Sequence, residues 1–291
     1  MTYAAAAAPS PIDSRRTARN ERLRVLVRTP SAMVGAAVVG FWIVCAIFGT
    51  SITPHNPLNA DGAAPYLHPS TAHWFGTDRI GRDVFSRVLD GSGDILRVAP
   101  LATLLGVTVG TGLGLLTGYL HGLVDDVVSR AIDAVLALPL IIVAVTALAA
   151  VGSKSSWTVT LVIGMVFAPI VARTVRAAVL AERELDYVAS ARLRGEGSLY
   201  VMFVEVLPNV LGVVLVEATV RLGYAIFAVA SLTFIGFGIQ LPSPDWAVQI
   251  NDNFQYLDPD WWPVLFPALA IASLVVSFNL LVDGVQRAWD R

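Results

Sequence analysis

Along the chain, long apolar runs alternate with short stretches that concentrate the charges. Runs without Asp, Glu, Lys or Arg cover 31–60, 98–124, 134–153, 155–172, 222–244 and 261–282. Each suits the ~20 mostly apolar residues that a bilayer-crossing helix needs. The fifth run extends backwards. From Val206 onward only Glu217 and Arg221 interrupt it, so this span is predicted to begin at Pro208, whose missing N–H is harmless in a first helical turn. The predicted spans are 29–53, 98–120, 132–152, 156–177, 208–236 and 262–284. Between them lie a tail at 1–28, a loop at 54–97, a basic loop at 178–207 and a further loop at 237–261. The expected fold class is all-α integral membrane, with six transmembrane helices.

Two patterns refine this picture. Gly106, Gly110, Gly114, Gly118 and Gly122 recur every fourth residue of the second span, a bare stripe along which another helix backbone can approach closely. The second pattern is basic. Arg173, Arg176, Arg183, Arg192 and Arg194 crowd around the 178–207 loop, and loops this basic stay on the cytoplasmic side. With both termini cytoplasmic, fourteen basic residues lie inside and five outside (Arg79, Arg82, Arg87, Arg97 and Lys154), with Arg221 left in the membrane.

Composition agrees: 55% of residues are hydrophobic, 14% are charged and mean hydropathy is +0.66, against about 25% charged in soluble domains. A net charge of -2 gives no argument for nucleic-acid binding. The lone Cys45 sits in an apolar run, which excludes an intrachain disulfide. The alanine run Ala4–Ala8 is too short for a signal-peptide core and precedes the arginines. Residues 1 to about 20 therefore read as a flexible tail.

Candidate chemistry is sparse. No phosphate-gripping GxxxxGK[ST] turn surrounds the one lysine, Lys154. His55, His68, His73 and His121 lack HExxH spacing, so no metal is expected, and no nucleophile–base arrangement is visible. The chain is expected not to be an enzyme and to bind no cofactor. Glu217 and Arg221 are spaced to pair on one helix face. Counted from Leu207, Glu217 lies about 15 Å into the bilayer, near its midplane. A lone charge there would cost several kcal/mol. The two either border a translocation path or form a structural ion pair. The 54–97 loop alternates Asp78, Arg79, Arg82, Asp83, Arg87, Asp90 and Asp94, as in a stapled surface platform or a docking face. Trp261 and Trp262 resemble interfacial anchors, with Trp246 nearby.

Several of these stretches together resemble a known family. Tyr187-Val188-Ala189-Ser190-Ala191-Arg192-Leu193-Arg194-Gly195, followed by Leu207-Pro208-Asn209, resembles the EAA loop of ABC importer permeases. His73 to Asp78, Gly81 to Arg87, Ser231 to Gly238 and Phe278 to Gly284 resemble signatures of the dipeptide/oligopeptide (and nickel) branch, closest to its C-type permease subunit. The likeness runs from about residue 25 to the end. Ala189 and Ser190 stand where the family pattern has Glu and Ala, and Val229 stands where members often carry Glu.

The resemblance implies a type I importer permease fold in the plasma (inner) membrane. The implied partners are a homologous B-type permease, two ATP-binding domains carrying ATP and Mg, an extracytoplasmic solute-binding protein and membrane lipid. It implies a coupling role for Tyr187, Ala189, Ser190, Ala191, Arg192, Arg194, Gly195, Leu207 and Pro208. It also implies binding-protein contact at Trp74, Asp78, Arg82 and Asp83, and import of dipeptides or oligopeptides. Nickel and glutathione importers share these motifs. An ion-coupled secondary transporter is the rival class, and it would need inverted repeats that the sequence does not show.

Overall fold

The computed structural model describes residues 29–289 apart from Asp61, His121, Ser153 and Lys154. The tail at 1–28 with its arginines, those four positions, Asp290, Arg291 and the Arg287 side chain lie outside the described residues. Ten helices of seven or more residues organise the rest: α1 (Pro30–Ile52), α2 (Val84–Asp90), α3 (Ser92–Tyr119), α4 (Leu123–Leu136), α5 (Leu140–Val151), α6 (Ser156–Glu182), α7 (Asp186–Leu193), α8 (Leu207–Phe234), α9 (Trp246–Asn253) and α10 (Trp262–Trp289). A lone bridge between Thr77 and Asp83 is the only β-type pairing among the described residues.

The glycine stripe makes the central contact. Along α3, Gly106, Gly110, Gly114 and Gly118 lie against Gly164, Val171, Val175 and Val179 of α6 in turn. A Cβ on Gly110 would stand 2.6 Å from Val171 Cβ and 2.7 Å from Ala168 O, inside van der Waals range. Only hydrogen fits there. Gly122 acts differently, because its φ of +85° turns the chain out of α3 and it meets nothing within 4 Å. A second close seam joins α1 to α10, where Gly35 meets Ser277 O and Gly284 meets Ala32. The Trp42 indole N–H also donates to Ser273 Oγ at 2.9 Å.

Among the described residues, five helical runs are long and apolar enough to cross a membrane, and a bent pair taken as one span gives the sixth. The bent pair corrects the straight span predicted at 132–152. Helix α4 stops at Leu136 and α5 departs at 95° after Pro139, because a proline disfavours helical geometry at the residue before it and cannot donate the ladder hydrogen bond. At about 18 Å, the 12-residue α5 alone is short for a bilayer.

The α-helix of the fifth span does begin at Leu207, with Pro208 in its first turn, but helical structure runs on before it, so the continuous run covers Ser198 to Phe234, 37 residues. The proline is accommodated by a π-helical stretch, Val201–Val206, in which the Leu207 N–H reaches back to Met202 O. The wider turn relieves the clash between the proline ring and a preceding carbonyl. Likewise α3 starts at Ser92 rather than 98, and the 54–97 segment carries α2 instead of being all loop.

Candidate functional site

Three places hold the charged side chains that an apolar protein must justify: the α7 end, the middle of α8 and the α9 end.

At the α7 end, a short helix is stopped by Gly195. Its φ of +84° lets the Glu196 N–H reach Ala191 O at 3.3 Å, the six-to-one closure typical of glycine-terminated helices. One side of α7 is inward. Val188 and Ala191 are fully buried with Val179, Val201, Met202 and Val206, so Ala191 is a packing residue rather than part of an outward docking face. Ala189, Ser190, Arg192, Arg194 and Gly195 are exposed. Leu193 is 89% exposed, a bare apolar residue that the motif match does not single out. Helical spacing carries the signal, since Val188 and Ala191 share one face and Leu193 falls on the other.

Polar contacts lock this helix to the span behind it. The Tyr187 hydroxyl donates to Glu182 Oε1 at 2.8 Å and accepts from Asn209 Nδ2 at 3.1 Å. Burial, then the Glu182 bond, push its phenol up to about 12, so it stays a neutral donor. Arg192 donates to the Tyr119 hydroxyl and covers its ring at 5.0 Å, while Arg194 pairs with Glu205 at 3.1 Å. Leu207 and Pro208 sit just past the π-turn. The basic cluster is largely neutralised within the chain: Arg176 grips Asp125 of α4 with two 2.8 Å bonds.

In the middle of α8, Arg221 Nε donates to Glu217 Oε1 at 2.7 Å. With the longer helix, Glu217 lies about 28 Å from Ser198 and about 26 Å from Phe234 along the axis, so the pair is central. Arg221 also covers the Tyr224 ring at 5.3 Å. Tyr224 lines a groove of about 410 Å³ between α8 and α10 that is also lined by Asn279 and Asp283.

At the α9 end, the alternating charges close on one another. Asp78 accepts from the Arg82 backbone N–H and Nε at 2.9 and 2.7 Å. Arg82 Nη2 and Arg79 Nε both donate to Asp252, at 2.9 and 2.8 Å. Buried Arg87 donates to Pro57 O and Ser243 O. Asp78, Arg82 and Asp83 are each no more than 3% exposed. Internal pairing thus leaves little of these three side chains at the surface of this chain. Trp74, 61% exposed, remains at the surface.

Trp262 is corrected as well. It is fully buried and its indole N–H donates to Thr77 O, whereas Trp261 is exposed. Asp245 caps α9 by accepting from the Ala247 and Val248 N–H groups. Its other oxygen has no partner among the described residues, and burial pushes its carboxyl up to about 7. Spacing alone also misses a convergence of His55, His73 and Asp83, whose ligating atoms lie within 4.8 Å of one another. They come from three separate segments, so no linear motif announces them.

Known proteins share this architecture. Residues 110–291 match the family of binding-protein-dependent transport system inner membrane components. Residues 19–69 match the N-terminal transmembrane domain of oligopeptide transport permease C. The chain is 34% identical over 270 residues to the dipeptide transport system permease protein DppC of Alkalihalophilus pseudofirmus, covering 93% of this chain and 88% of that one. It is 37% identical over 269 residues to DppC of Escherichia coli, covering 90% and 89%. It is 34% identical over 276 residues to the glutathione transport system permease protein GsiD of Pectobacterium atrosepticum, covering 94% and 91%. A chain of the MetNI methionine ABC transporter in inward-facing conformations has the same fold, with a TM-score of 0.57 at 19% identity, over 70% of this chain and 97% of that one. An all-helical bundle with five to six apolar spans, matched over most of its length, is therefore a multi-pass permease subunit: the chain belongs to the family of binding-protein-dependent transport system inner membrane components.

Proposed function

We propose that this chain is the C-type permease of an ATP-driven importer of dipeptides or short oligopeptides. The observation that carries the reading is the α7 unit. It is an exposed short helix, stopped by Gly195 and hydrogen-bonded through Tyr187 and Asn209 to the foot of α8. With α7 on the cytoplasmic side, Leu193, Ala189 and Ser190 enter a groove on an ATP-hydrolysing domain, a helix-in-groove mode of docking. Movement of that domain pulls on α7 and, through the Tyr187–Asn209 contact, on α8.

The spans expected at 29–53, 98–120, 132–152, 156–177, 208–236 and 262–284 become, with the boundaries of the helices, half of a translocation path. A homologous permease supplies the other half, two ATP-binding domains with ATP and Mg drive it, and a solute-binding protein delivers substrate near Trp74. Glu217 and Arg221 border the path, where a zwitterionic peptide meets both signs of charge. Glutathione import is a second reading, favoured by the 34% identity to the GsiD permease.

The test is uptake into proteoliposomes that carry the whole complex. Labelled dipeptide, glutathione and nickel compete in turn, and ATP-dependent accumulation of the dipeptide supports the reading. Uptake that persists without the ATP-binding domains overturns it. For the pair, a Glu217→Leu/Arg221→Leu variant that assembles yet loses transport supports the path assignment, and unchanged uptake removes it.

A further inference from the structure

We propose that His55, His73 and Asp83 form a site for a borderline transition-metal dication (Zn²⁺, Ni²⁺ or Cu²⁺) that clasps the end of α1 to the first turn of α2. The donor set is two imidazoles and a carboxylate, which suits these ions and not Mg²⁺ or Ca²⁺. Their ligating atoms lie within 4.8 Å of one another, and His73 Nδ1 is already 2.9 Å from Asp83 Oδ1. Neighbouring donors around a metal with bonds of ~2.1 Å stand ~3–3.5 Å apart. The half-buried His55 ring lies against the His73 ring with centroids 4.7 Å apart, so its donor has only a short way to move.

The donors are held in place before any ion arrives. Asp83 is 3% exposed, and its second oxygen accepts from the Ser86 N–H at 2.8 Å as the cap of α2. Ser86 Oγ accepts from the His55 N–H at 3.2 Å, so one buried serine ties two ligand-bearing segments together. The His73 backbone N–H is fixed to Ser70 Oγ at 3.2 Å, and His55 Nε2 lies 3.0 Å from Ala72 O. Fixed donors lower the ordering cost of binding. Three protein donors leave further positions for water, which makes this an exchangeable clasp rather than a closed structural centre.

The experiment is equilibrium dialysis of the purified complex, prepared without a polyhistidine tag and stripped with chelator, against micromolar Zn²⁺ and separately Ni²⁺. The expected result is one high-affinity ion per copy of this chain. His55→Gln and His73→Gln each weaken binding at least ~10-fold, and His68→Gln, whose ring lies against Trp262 instead, leaves it unchanged. Zn²⁺ also raises the melting temperature of the wild type and not of His55→Gln. Wild type and His55→Gln melting together in chelator shows that the variant is folded, and His55→Ala serves as the second variant. Failure to bind at micromolar ion, or undiminished binding in the folded His55 variants, overturns the proposal.

Discussion

Replacing Gly110 by alanine isolates the contact on which the α3–α6 pairing depends. The new Cβ would stand 2.6 Å from Val171 Cβ and 2.7 Å from the Ala168 carbonyl, about 1 Å inside ordinary carbon contact distances. Neither neighbour is the loose end of a side chain, so the helices themselves must separate. Overpacking of this kind costs about 1–3 kcal/mol. The exchange also raises helix propensity by about 0.5–1 kcal/mol, and Gly112 supplies the control for that gain. It lies two residues along the same helix, and a Cβ there meets nothing within 4 Å. Gly110→Ala and Gly112→Ala share the propensity gain, so the difference between them is the packing cost alone. At about 2 °C per kcal/mol for a chain of this size, Gly110→Ala should melt about 2–6 °C below Gly112→Ala. Tryptophan fluorescence of the detergent-solubilised complex measures it. Equal melting temperatures, or the reverse order, would refute the claim that close backbone approach holds these helices.

Arg82→Met leaves buried Asp78 and Asp252 without their shared partner; a loss of about 3–5 kcal/mol is expected, read as a lower melting temperature. Asp245 binds its proton more tightly folded than unfolded, with its carboxyl raised from 3.8 to about 7. The folded state therefore holds more protons through that window, and its contribution to stability is present at low pH and falls as pH rises from about 4 to 7. Subtracting the Asp245→Asn melting profile from the wild-type profile should expose this slope, and parallel profiles would refute it. Leu193→Asp places a charge at the most exposed apolar position of α7. Uptake and substrate-stimulated ATP hydrolysis should both fall while the melting temperature of this chain holds.

Much of the bundle was legible because bilayer-crossing helices are written in long charge-free runs, and the glycine repeat names its own contact. The failures were local. The bend after Leu136 hides in an unbroken apolar run, where only Pro139 hints at it. Pro208 marks the start of the α-helix in the fifth span, but the π-turn that carries helical structure back to Ser198 leaves no mark in hydropathy. At the α9 end the alternating signs were visible, but not that Asp252, some 170 residues on, would close the network over Arg79 and Arg82. Arg82 is closed off by that distant partner, whereas Asp78 is held by Arg82 and Asp83 by His73 and Ser86 nearby. Trp262 looks like an anchor in sequence because its carbonyl acceptor, Thr77 O, lies equally far away. At the α7 end, helix and stop were both readable from Gly195, but which residues face outward was not.

The stretch Val201–Val206 accommodates one residue more than a regular helix would. Each residue of an α-helix advances the azimuth by about 100°, but the wider turn takes up the surplus, so the segment touching α7 and the segment bearing Glu217 and Arg221 keep close to the register of an uninterrupted helix. Val201, Met202 and Val206 pack in one cluster with Val188 and Ala191. Deleting a single residue here would restore an ordinary i→i−4 ladder with the two flanks little turned, whereas a deletion a few residues further along would swing one half about the axis by about 100°. The joint thus works as a take-up in the rod, holding a surplus residue without turning one half against the other.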